Sequence, residues 1–342
     1  MTQTEALTRL AAWPRQPLAK LPTPLTPIPT LAAALSGEME DGAPDLLVKM
    51  DAETGFALGG NKVRKLEFEL APPRLEGITH LITAGGPQSN HCRVTAAAAA
   101  HLGLDCTLVL NGPEPGEPTG NALLHRLFGA TIHTVPSREA RDTAMLEVAE
   151  EIRRQGGHPL VVPLGASTGR GALAYAAATV ELAQQLERLE PRDRTWIFVS
   201  ASSCGTLAGI LLGVSLLERT DIRLVGVSAD VSAFDLRTET LRLAQEGADL
   251  LEWKGSIREG AVAAADEFVG EGYGIPTRLG DEATDLFGKH AGMVLDPVYT
   301  AKAASGMIQW VRTGSVPPHH RVVFVHTGGI FGNFPLREGF SK

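Results

Sequence analysis

Short apolar runs alternate with longer alanine- and leucine-rich stretches along most of the chain. Each run is apolar over nearly its whole length, as expected for strands that are covered on both faces of a sheet. The apolar runs lie at residues 80–85, 106–111, 160–165, 196–201, 223–229 and 321–329. The stretches between them, such as 93–104 and 171–189, favour helices. This alternation predicts an α/β fold with open parallel sheets and helices on both faces.

The length of 342 residues exceeds what one hydrophobic core usually spans, which predicts two domains or one large α/β unit. Residues 1–44 are rich in proline and are expected to form an extended arm over the body of the protein. Residues 111–121 are expected to form a surface loop.

Composition and charge exclude several functional classes. Hydrophobic residues make up 44% and charged residues 20% of the chain, which is typical of a globular protein. The net charge of −8 and the scattered basic residues argue against a nucleic-acid partner. No apolar run has membrane-spanning length, and the N-terminus lacks a secretory signal. The three cysteines form no CxxC pair, so we expect neither disulfides nor a metal site, and a cytoplasmic location.

Lys62 follows Gly59, Gly60 and Asn61 at a predicted junction between a loop and an amphipathic helix. A lysine that forms an imine must be held rigidly and be partly desolvated, so that its amine can be neutral. The pattern of a nucleotide-binding P-loop fails here because Val63 follows the lysine. A solvated helix N-terminus explains the local sequence equally well.

Four consecutive polar residues follow the first predicted strand. Gln88, Ser89, Asn90 and His91 lie after Gly85 and Gly86 at a predicted helix start, where free N–H groups bind carboxylates or phosphates. A simple helix cap by Ser89 or Asn90 is the alternative, although one cap explains only one polar residue.

A second strand-to-helix turn, within residues 199–213, has small residues suited to a phosphate group. The N–H groups of Ser203, Cys204, Gly205 and Thr206, with the Thr206 hydroxyl, could surround a dianion. The turn lacks GxGxxG, which argues against a dinucleotide fold. Cys204 is interpreted as a buried, inert thiol because no partner base is evident.

Two of the three tyrosines, Tyr273 and Tyr299, lie in turn-rich segments near the C-terminal strand. Tyrosines can stack on a ring or donate a proton to a leaving group, although ordinary packing is the commoner role. His326 ends an apolar run and is interpreted as a core histidine.

Taken together, six motifs resemble one enzyme family. They are GGNKVRKLEFEL, GGPQSNHCR, SSCGT, GYG, DPVYT and HTGG. In this order they are similar to the D-cysteine desulfhydrase and 1-aminocyclopropane-1-carboxylate deaminase family, within the tryptophan-synthase-β-like pyridoxal-phosphate enzymes. The resemblance runs from about residue 15 to 335. It implies a two-domain fold, a homodimer, a small amino-acid substrate and pyridoxal 5'-phosphate in the cleft between the domains.

The resemblance also implies roles for individual residues. Lys62 would carry the cofactor, Asn90 would bind its phenolic oxygen, and residues 203–206 would bind its phosphate. The substrate carboxylate would lie among residues 88–91. The implied catalytic residues are Lys62, Ser89, Tyr273 and Tyr299. The implied cofactor-binding residues are Lys62, Asn90, Ser203, Cys204, Gly205, Thr206, Thr300 and Thr327, and the implied substrate-binding residues are Gln88, Ser89, Asn90 and His91.

The two implied domains are residues 1–60 plus 176–342, the large cofactor-binding domain, and residues 61–175, a small mobile domain. The chain departs from the family pattern at Pro87, at Cys204 and in residues 330–334.

Thr300 stands where the deaminases resembling this chain carry glutamate, which favours β-elimination from D-cysteine. The deaminase reaction stays open, as does elimination from L-cysteate, whose sulfonate could meet Arg170. A relative that binds the cofactor without turnover stays open too. A nucleotide-binding transferase is disfavoured.

Overall fold

The computed structural model describes residues 1–37, 43–112 and 117–334, and these form two β-sheets. The larger sheet has the order β1-β2-β10-β7-β8-β9, and the smaller has the order β5-β4-β3-β6. The ten strands are β1 (Leu25–Pro27), β2 (Asp45–Lys49), β3 (His80–Gly85), β4 (Asp105–Asn111), β5 (Thr131–Val135), β6 (Pro159–Val161), β7 (Thr195–Ala201), β8 (Ile222–Ser228), β9 (Val262–Ala265) and β10 (Arg321–Val325). Every strand pairing is parallel except that of β1 with β2. The predicted α/β class with parallel sheets is confirmed.

Helices cover both faces of each sheet. They are α1 (Gln3–Ala11), α2 (Pro29–Ser36), α3 (Asn61–Glu69), α4 (Pro72–Leu75), α5 (Asn90–Leu102), α6 (Gly120–Leu127), α7 (Ala140–Arg154), α8 (Gly169–Leu186), α9 (Gly205–Leu216), α10 (Ala233–Leu250), α11 (Arg278–Ala291) and α12 (Thr300–Arg312). Side chains on α8, α9 and α10 pack on one face of the large sheet, and side chains on α2, α11 and α12 pack on the other. In the small sheet α3 and α5 cover one face and α7 covers the other.

Alternation along the buried strands explains this layering. In β10, Val323 and Val325 join the core beneath α8 and α9, whereas Val322 and Phe324 join the core beneath α11 and α12. Because successive side chains point to opposite faces, a strand that is apolar throughout supplies both cores. Five of the six apolar runs predicted from the sequence are therefore central strands, whereas the run 160–165 gives β6 at the edge of the small sheet.

Two predicted strands are shorter than expected. The run 160–165 yields only β6, because Pro163 has no N–H for a ladder and Gly165 turns the chain with φ +66°. The run 321–329 yields β10 and then a turn, in which Gly328 and Gly329 adopt φ +91° and +100°.

The N-terminal segment is not the extended arm that was predicted. It contains α1, whose first turn has a capping box between Thr2 and Glu5, and α2, which begins at Pro29. Part of the predicted surface loop, residues 113–116, lies outside the described residues. On either side of it, β4 ends at Asn111 and α6 begins at Gly120.

Candidate active site

A cavity of about 220 Å³ lies where the carboxyl ends of β3, β7 and β10 meet the first turns of α3, α5 and α9. Carboxyl ends of parallel strands are the usual ligand site of an open α/β sheet. Of the predicted site residues, the cavity wall includes Lys62, Ser89, Asn90, His91, Ser203, Cys204, Gly205, Thr206, Tyr273, Tyr299 and Thr327. All six motifs, which are far apart in the sequence, therefore come together at one cavity.

Lys62 lies in the first turn of α3, as predicted, after a sharply bent backbone. Gly59 and Gly60 have φ +78° and +111°, and a Cβ on Gly59 would lie 1.9 Å from the Ala52 carbonyl oxygen. The Asn61 N–H donates to the Thr327 carbonyl at 3.0 Å, which holds the helix start against the turn after β10. Desolvation lowers the pKa of the Lys62 amine to about 8, although the Asp296 carboxylate acts in the opposite direction. An amine with this pKa is neutral in a useful fraction of molecules near neutral pH.

Lys65 is a cavity residue that the sequence did not single out. Its side chain is 1% exposed, and its Nζ donates to the Ser167 hydroxyl at 3.2 Å. Burial, reinforced by the neighbouring charge of Lys62, lowers its pKa well below the ordinary lysine value. The signal was available in part, since residues three apart on a helix share a face.

The polar residues at the start of α5 both cap the helix and line the cavity. Ser89 is the helix cap, and its hydroxyl accepts from the Cys92 N–H at 3.1 Å. The Asn90 side-chain oxygen accepts from the Asn121 amide at 2.9 Å, and His91 contacts the Thr83 hydroxyl at 2.8 Å. All three residues also line the cavity.

Gln88 was predicted to bind substrate, but it is not among the residues of the cavity wall, and its side chain is bonded to the start of α6. Its amide donates to the Thr119 carbonyl at 3.0 Å, and its oxygen accepts from the Asn121 N–H at 2.9 Å. These bonds fix the start of α6, and Asn121 in turn donates to Asn90 on the cavity wall, so Gln88 acts on the site only through other residues. Arg170, proposed to meet a sulfonate, is also absent from the cavity wall within the described chain.

The turn 203–206 has the geometry of a phosphate site. α9 begins at Gly205, and the first N–H groups of an α-helix have no partner within the helix, which suits them to an anion. In this structure the Gly205 N–H donates to the Ser203 carbonyl at 2.8 Å and to the Ser167 hydroxyl at 3.3 Å. A Cβ on Gly205 would lie 2.7 Å from the Ser167 hydroxyl and 3.0 Å from Lys65 Nζ. The turn therefore combines helix N–H groups with a lysine amine, and these donors fit a phosphate.

The side chains of Thr206 and Cys204 contact neighbouring parts of the protein and do not point freely into the cavity. The Thr206 hydroxyl accepts from the Asn61 amide at 3.1 Å, which joins the starts of α9 and α3. The Cys204 thiol lies 3.3 Å from the Ser202 carbonyl and 3.6 Å from the Leu236 carbonyl. Burial raises the pKa of this thiol to about 11, as expected of an inert cysteine.

The tyrosine pair forms another part of the wall. The hydroxyls of Tyr273 and Tyr299 lie 2.5 Å apart. Arg138 stacks over the Tyr273 ring at 4.8 Å and forms an ion pair with Asp230 at 2.7 Å. Burial raises the pKa of both phenols, so both are protonated at neutral pH and one can donate a proton.

The two threonines implied by the resemblance occupy different places. Thr327 lines the cavity. Thr300 is fully buried outside the wall, and its hydroxyl donates to the Asp296 carboxylate at 2.8 Å. Burial raises the pKa of Asp296, which also accepts from the Val298 and Tyr299 N–H groups at 3.0 Å. The contact of either threonine with a pyridine nitrogen stays a prediction.

His326, which was interpreted as a structural histidine, directly follows β10. His326 contacts the Val294 carbonyl through Nε2 at 3.1 Å and accepts from the Gly328 N–H through Nδ1. Both ring nitrogens have partners in the core, which confirms that interpretation.

The cavity has the lysine, the anion-binding turn and the paired tyrosines of an enzyme that carries a phosphorylated cofactor, and comparison with known proteins agrees. Residues 17–328 match the family model described as pyridoxal-phosphate dependent enzyme. The chain belongs to this family, and its cofactor is pyridoxal phosphate.

Individual relatives cover nearly the whole chain. It is 36% identical over 328 residues to a D-cysteine desulfhydrase of Salmonella newport, spanning 94% of this chain and 96% of the relative. A crystal structure titled as an ACC deaminase homologue matches with a TM-score of 0.85 at 35% identity, covering 96% of each chain. A pyridoxal 5'-phosphate-dependent aspartate racemase matches with a TM-score of 0.64 at 15% identity, covering 96% of this chain and 95% of its own, and it shares the fold alone.

The described residues contain neither a candidate membrane span nor a candidate metal cluster. No helix among them is long and apolar enough to cross a membrane. Within the same ranges, no three histidine, cysteine, aspartate or glutamate side chains are grouped so that they could hold a metal ion.

Proposed function

We propose that the protein is a lyase that eliminates sulfide from D-cysteine, with pyruvate and ammonia as the other products. The observation that carries this proposal is the cavity wall that Lys62 shares with Tyr273 and Tyr299. A lysine amine with a lowered pKa shares one cavity with two protonated tyrosines, so a base and an acid are both present. The likeness to the Salmonella enzyme supports the choice of substrate.

The residues in the cavity suit the cofactor at two points. Lys62 would hold it covalently, and the start of α9, with Lys65 beside it, would bind its phosphate. Asn90 would bind the phenolic oxygen, and Thr327, which lines the cavity, would lie towards the pyridine nitrogen. The bound cofactor supplies an electron-withdrawing ring that stabilises negative charge at the substrate Cα.

The chain's own side chains then supply position and proton transfer. The N-terminus of α5, with Ser89, Asn90 and His91, would bind the substrate carboxylate. Once the substrate amine has taken its place on the cofactor, the freed Lys62 amine would remove the Cα proton, and the Tyr273–Tyr299 pair would protonate the departing sulfur. Loss of H₂S from cysteine leaves aminoacrylate, and water converts this to pyruvate and ammonia.

Thr327, the threonine on the cavity wall, supports elimination over ring opening of the cyclopropane substrate. Thr300 is buried outside the wall, where its hydroxyl donates to Asp296. A threonine on the wall cannot supply the carboxylate that would keep the pyridine nitrogen protonated, so stabilisation of the Cα charge would be weaker. A thiol can leave under those conditions, whereas a cyclopropane ring has no comparable leaving group.

A substrate panel tests the proposal. The purified holoenzyme is incubated with D-cysteine, L-cysteine, L-cysteate and 1-aminocyclopropane-1-carboxylate, and sulfide, sulfite, pyruvate and 2-oxobutyrate are measured. We expect sulfide and pyruvate from D-cysteine at the highest kcat/KM. Comparable or faster 2-oxobutyrate release would make the protein a deaminase, and predominant sulfite release would make it a cysteate lyase. Cofactor binding without any keto acid would make it a non-catalytic relative.

We also propose a cytoplasmic homodimer in which a small domain, predicted as residues 61–175, moves relative to a large one, predicted as residues 1–60 plus 176–342. The strands of the small sheet all lie between residues 80 and 161, which supports a separate small domain. Residue 175 lies within α8, however, and Leu173 and Tyr175 pack in the core of the large sheet, so the boundary belongs before α8. The three cysteines are free and buried, which suits a reducing compartment. Light scattering measures the mass, and hydrogen exchange with and without cofactor measures which residues move.

A further inference from the structure

Lys302 is a buried lysine without a role in the chemistry proposed above. Its side chain is 1% exposed and lies in the first turn of α12. Its Nζ donates to the carbonyl oxygens of Val269 at 2.7 Å and Gly272 at 2.8 Å, and lies 3.4 Å from that of Ala229. No ion pair of Lys302 occurs within the described ranges, so three backbone carbonyls surround the ammonium.

Burial of the Lys302 ammonium costs free energy unless its hydrogen bonds contribute to structure or function. Burying an ammonium disfavours its charged form, and burial indeed lowers the pKa of Lys302. The carboxylates of Asp230 and Asp296 act on it in the opposite direction. An ammonium has three donors and no acceptor, which matches three inward-facing carbonyls. An apolar side chain could fill the same space but could not hold these carbonyls.

Two of the three carbonyls, those of Val269 and Gly272, belong to the segment that carries Tyr273. This segment, between β9 and α11, has positive φ at Gly270 (+69°), Gly272 (+150°) and Gly274 (+79°). Glycine-rich backbone of this kind loses much conformational entropy on ordering, so it requires ties to stay in place. In the described part of the chain, only Lys302 and the Tyr273 hydroxyl join residues 269–275 by hydrogen bonds to other elements.

The same helix supports both tyrosines. Tyr299 immediately precedes α12, and Lys302 lies three residues further along the chain. The ammonium therefore joins the backbone beside Tyr273 to the helix that begins beside Tyr299. We propose that Lys302 is a positioning residue that holds the 269–273 backbone in place, and with it the Tyr273 hydroxyl against Tyr299 at the cavity wall.

The consequence for turnover rests on the function proposed for the tyrosine pair, whereas the positional claim does not. Two variants separate charge from volume: Lys302→Met keeps the length without the donors, and Lys302→Ala leaves a space lined by the three carbonyls. Lys289→Ala is the matched control, because Lys289 is exposed and pairs with Asp285 on α11.

The first measurement is amide hydrogen exchange over residues 266–277, in the apoprotein and the holoenzyme. Both Lys302 variants should exchange faster there and nowhere else, and the control should match the native protein. Potassium chloride should restore protection in Lys302→Ala but not in Lys302→Met, because potassium can replace the ammonium among carbonyls only where space is left. Tetramethylammonium chloride at equal ionic strength should have no effect.

The second measurement is kinetic. With D-cysteine, kcat/KM should fall about a hundredfold in both variants, since misplacing a catalytic group by about 1 Å has that effect. The visible absorbance of the bound cofactor should stay native. Potassium should recover part of kcat/KM in Lys302→Ala alone.

Several outcomes would overturn the proposal. They are native exchange over 266–277 in both variants, exchange raised throughout the protein, unfolding of both variants, and a potassium effect that is equal in the control or absent from Lys302→Ala. If the native enzyme releases no sulfide from D-cysteine, the proposed function fails while the exchange measurement still decides the role of Lys302.

Discussion

Lys62 and Lys65 lie one turn apart on α3 and have different surroundings. Desolvation brings the pKa of Lys62 to about 8, and its strongest electrostatic neighbour is Asp296. Lys65 contacts Ser167 and lies beside Gly205, at the anion-binding turn. The two amines therefore suit two tasks, covalent attachment at Lys62 and phosphate contact at Lys65.

Covalent attachment of pyridoxal phosphate to the apoprotein should follow the titration of Lys62. A pKa of about 8 leaves roughly a tenth of the amine neutral at pH 7. The rate should therefore rise as pH increases from 6 to 8 and level off above that. Stopped-flow absorbance measures this rate, and borohydride reduction with peptide mapping locates the label.

Lys65→Met is the control for this titration. It should keep the label on Lys62 and the rise with pH but weaken cofactor affinity, because it removes the phosphate contact. A label on Lys65 in the native protein would contradict the assignment.

At the scale of an element, the start of α9 should tolerate a changed side chain better than a changed backbone. Gly205→Ala should weaken cofactor affinity sharply, because its Cβ would lie 2.7 Å from the Ser167 hydroxyl. Cys204→Ser should be mild, since a hydroxyl can donate to the same carbonyls. Fluorescence titration of the apoprotein with cofactor measures both affinities.

Gly288→Ala is the matched control, because nothing lies within 4 Å of the added Cβ in the middle of α11. It should leave affinity unchanged and stabilise the protein by up to about 1 kcal/mol. Loss of the cofactor in Cys204→Ser would mean that this turn does not bind through its main chain.

A buried ion cluster holds α3 in place. Arg64, two residues after Lys62, donates to Asp51 at 2.9 Å and to Glu181 on α8 at 2.9 Å. Tyr175 donates to the same aspartate at 2.6 Å. Burial raises the pKa of Asp51, but Arg64 and the Tyr175 hydroxyl outweigh it and hold that pKa below its ordinary value.

Arg64→Met should destabilise the protein by about 3–5 kcal/mol at neutral pH, because Asp51 is left buried without its main partner. In the native protein the lowered pKa of Asp51 contributes stability above its unfolded pKa, and this is lost as pH falls through the folded pKa. In the variant, burial dominates and raises the pKa of Asp51. The difference in free energy of unfolding between the native protein and the variant should therefore shrink as pH falls. Urea unfolding at pH 7 and pH 5 measures it.

Arg153→Met is a control for the same experiment, since Arg153 pairs with Glu150 on the surface of α7. Its free energy of unfolding should change by no more than about 0.5 kcal/mol at either pH. If both substitutions lowered the free energy of unfolding equally, the buried cluster would contribute no more to stability than a surface ion pair.

At the scale of the whole molecule, Arg138 joins the parts of the chain that carry the two sheets. It follows β5 of the small sheet, and its partners Asp230 and Tyr273 follow β8 and β9 of the large sheet. Arg138→Ala should raise KM for D-cysteine several-fold with a smaller change in kcat, because the cavity loses a contact across its mouth. Steady-state kinetics with saturating cofactor measures both constants.

Arg242→Ala is the matched control for this contact, because Arg242 pairs only within the exposed face of α10. It should leave both constants unchanged. A fall in kcat with KM unchanged in Arg138→Ala would instead place Arg138 in the chemical step.

Much of the fold could be predicted because its signals are local. Runs that are apolar throughout predicted the central strands, and the starts of α3, α5 and α9 follow from glycine and polar residues within a few positions. The short strands β1, β5 and β9 were missed, because three to five residues with mixed exposure carry little pattern. The central strand β2 was missed too, because its five residues, although mostly buried, are bounded by Asp45 and Lys49 and form too short a run to stand out. Helix α1 was hidden by the proline-rich segment after it.

The sequence by itself determined the α/β class, the lysine at a helix start and the turn of small residues before α9, since each depends on residues adjacent in the chain. Only the tertiary structure decided which side chains face the cavity. Gln88 turns towards Thr119, 31 residues away, and Arg138 reaches Asp230, 92 residues away. Lys302 binds carbonyls 30 and 33 residues before it. Such contacts depend on how whole elements pack, and no local pattern of residues encodes that packing.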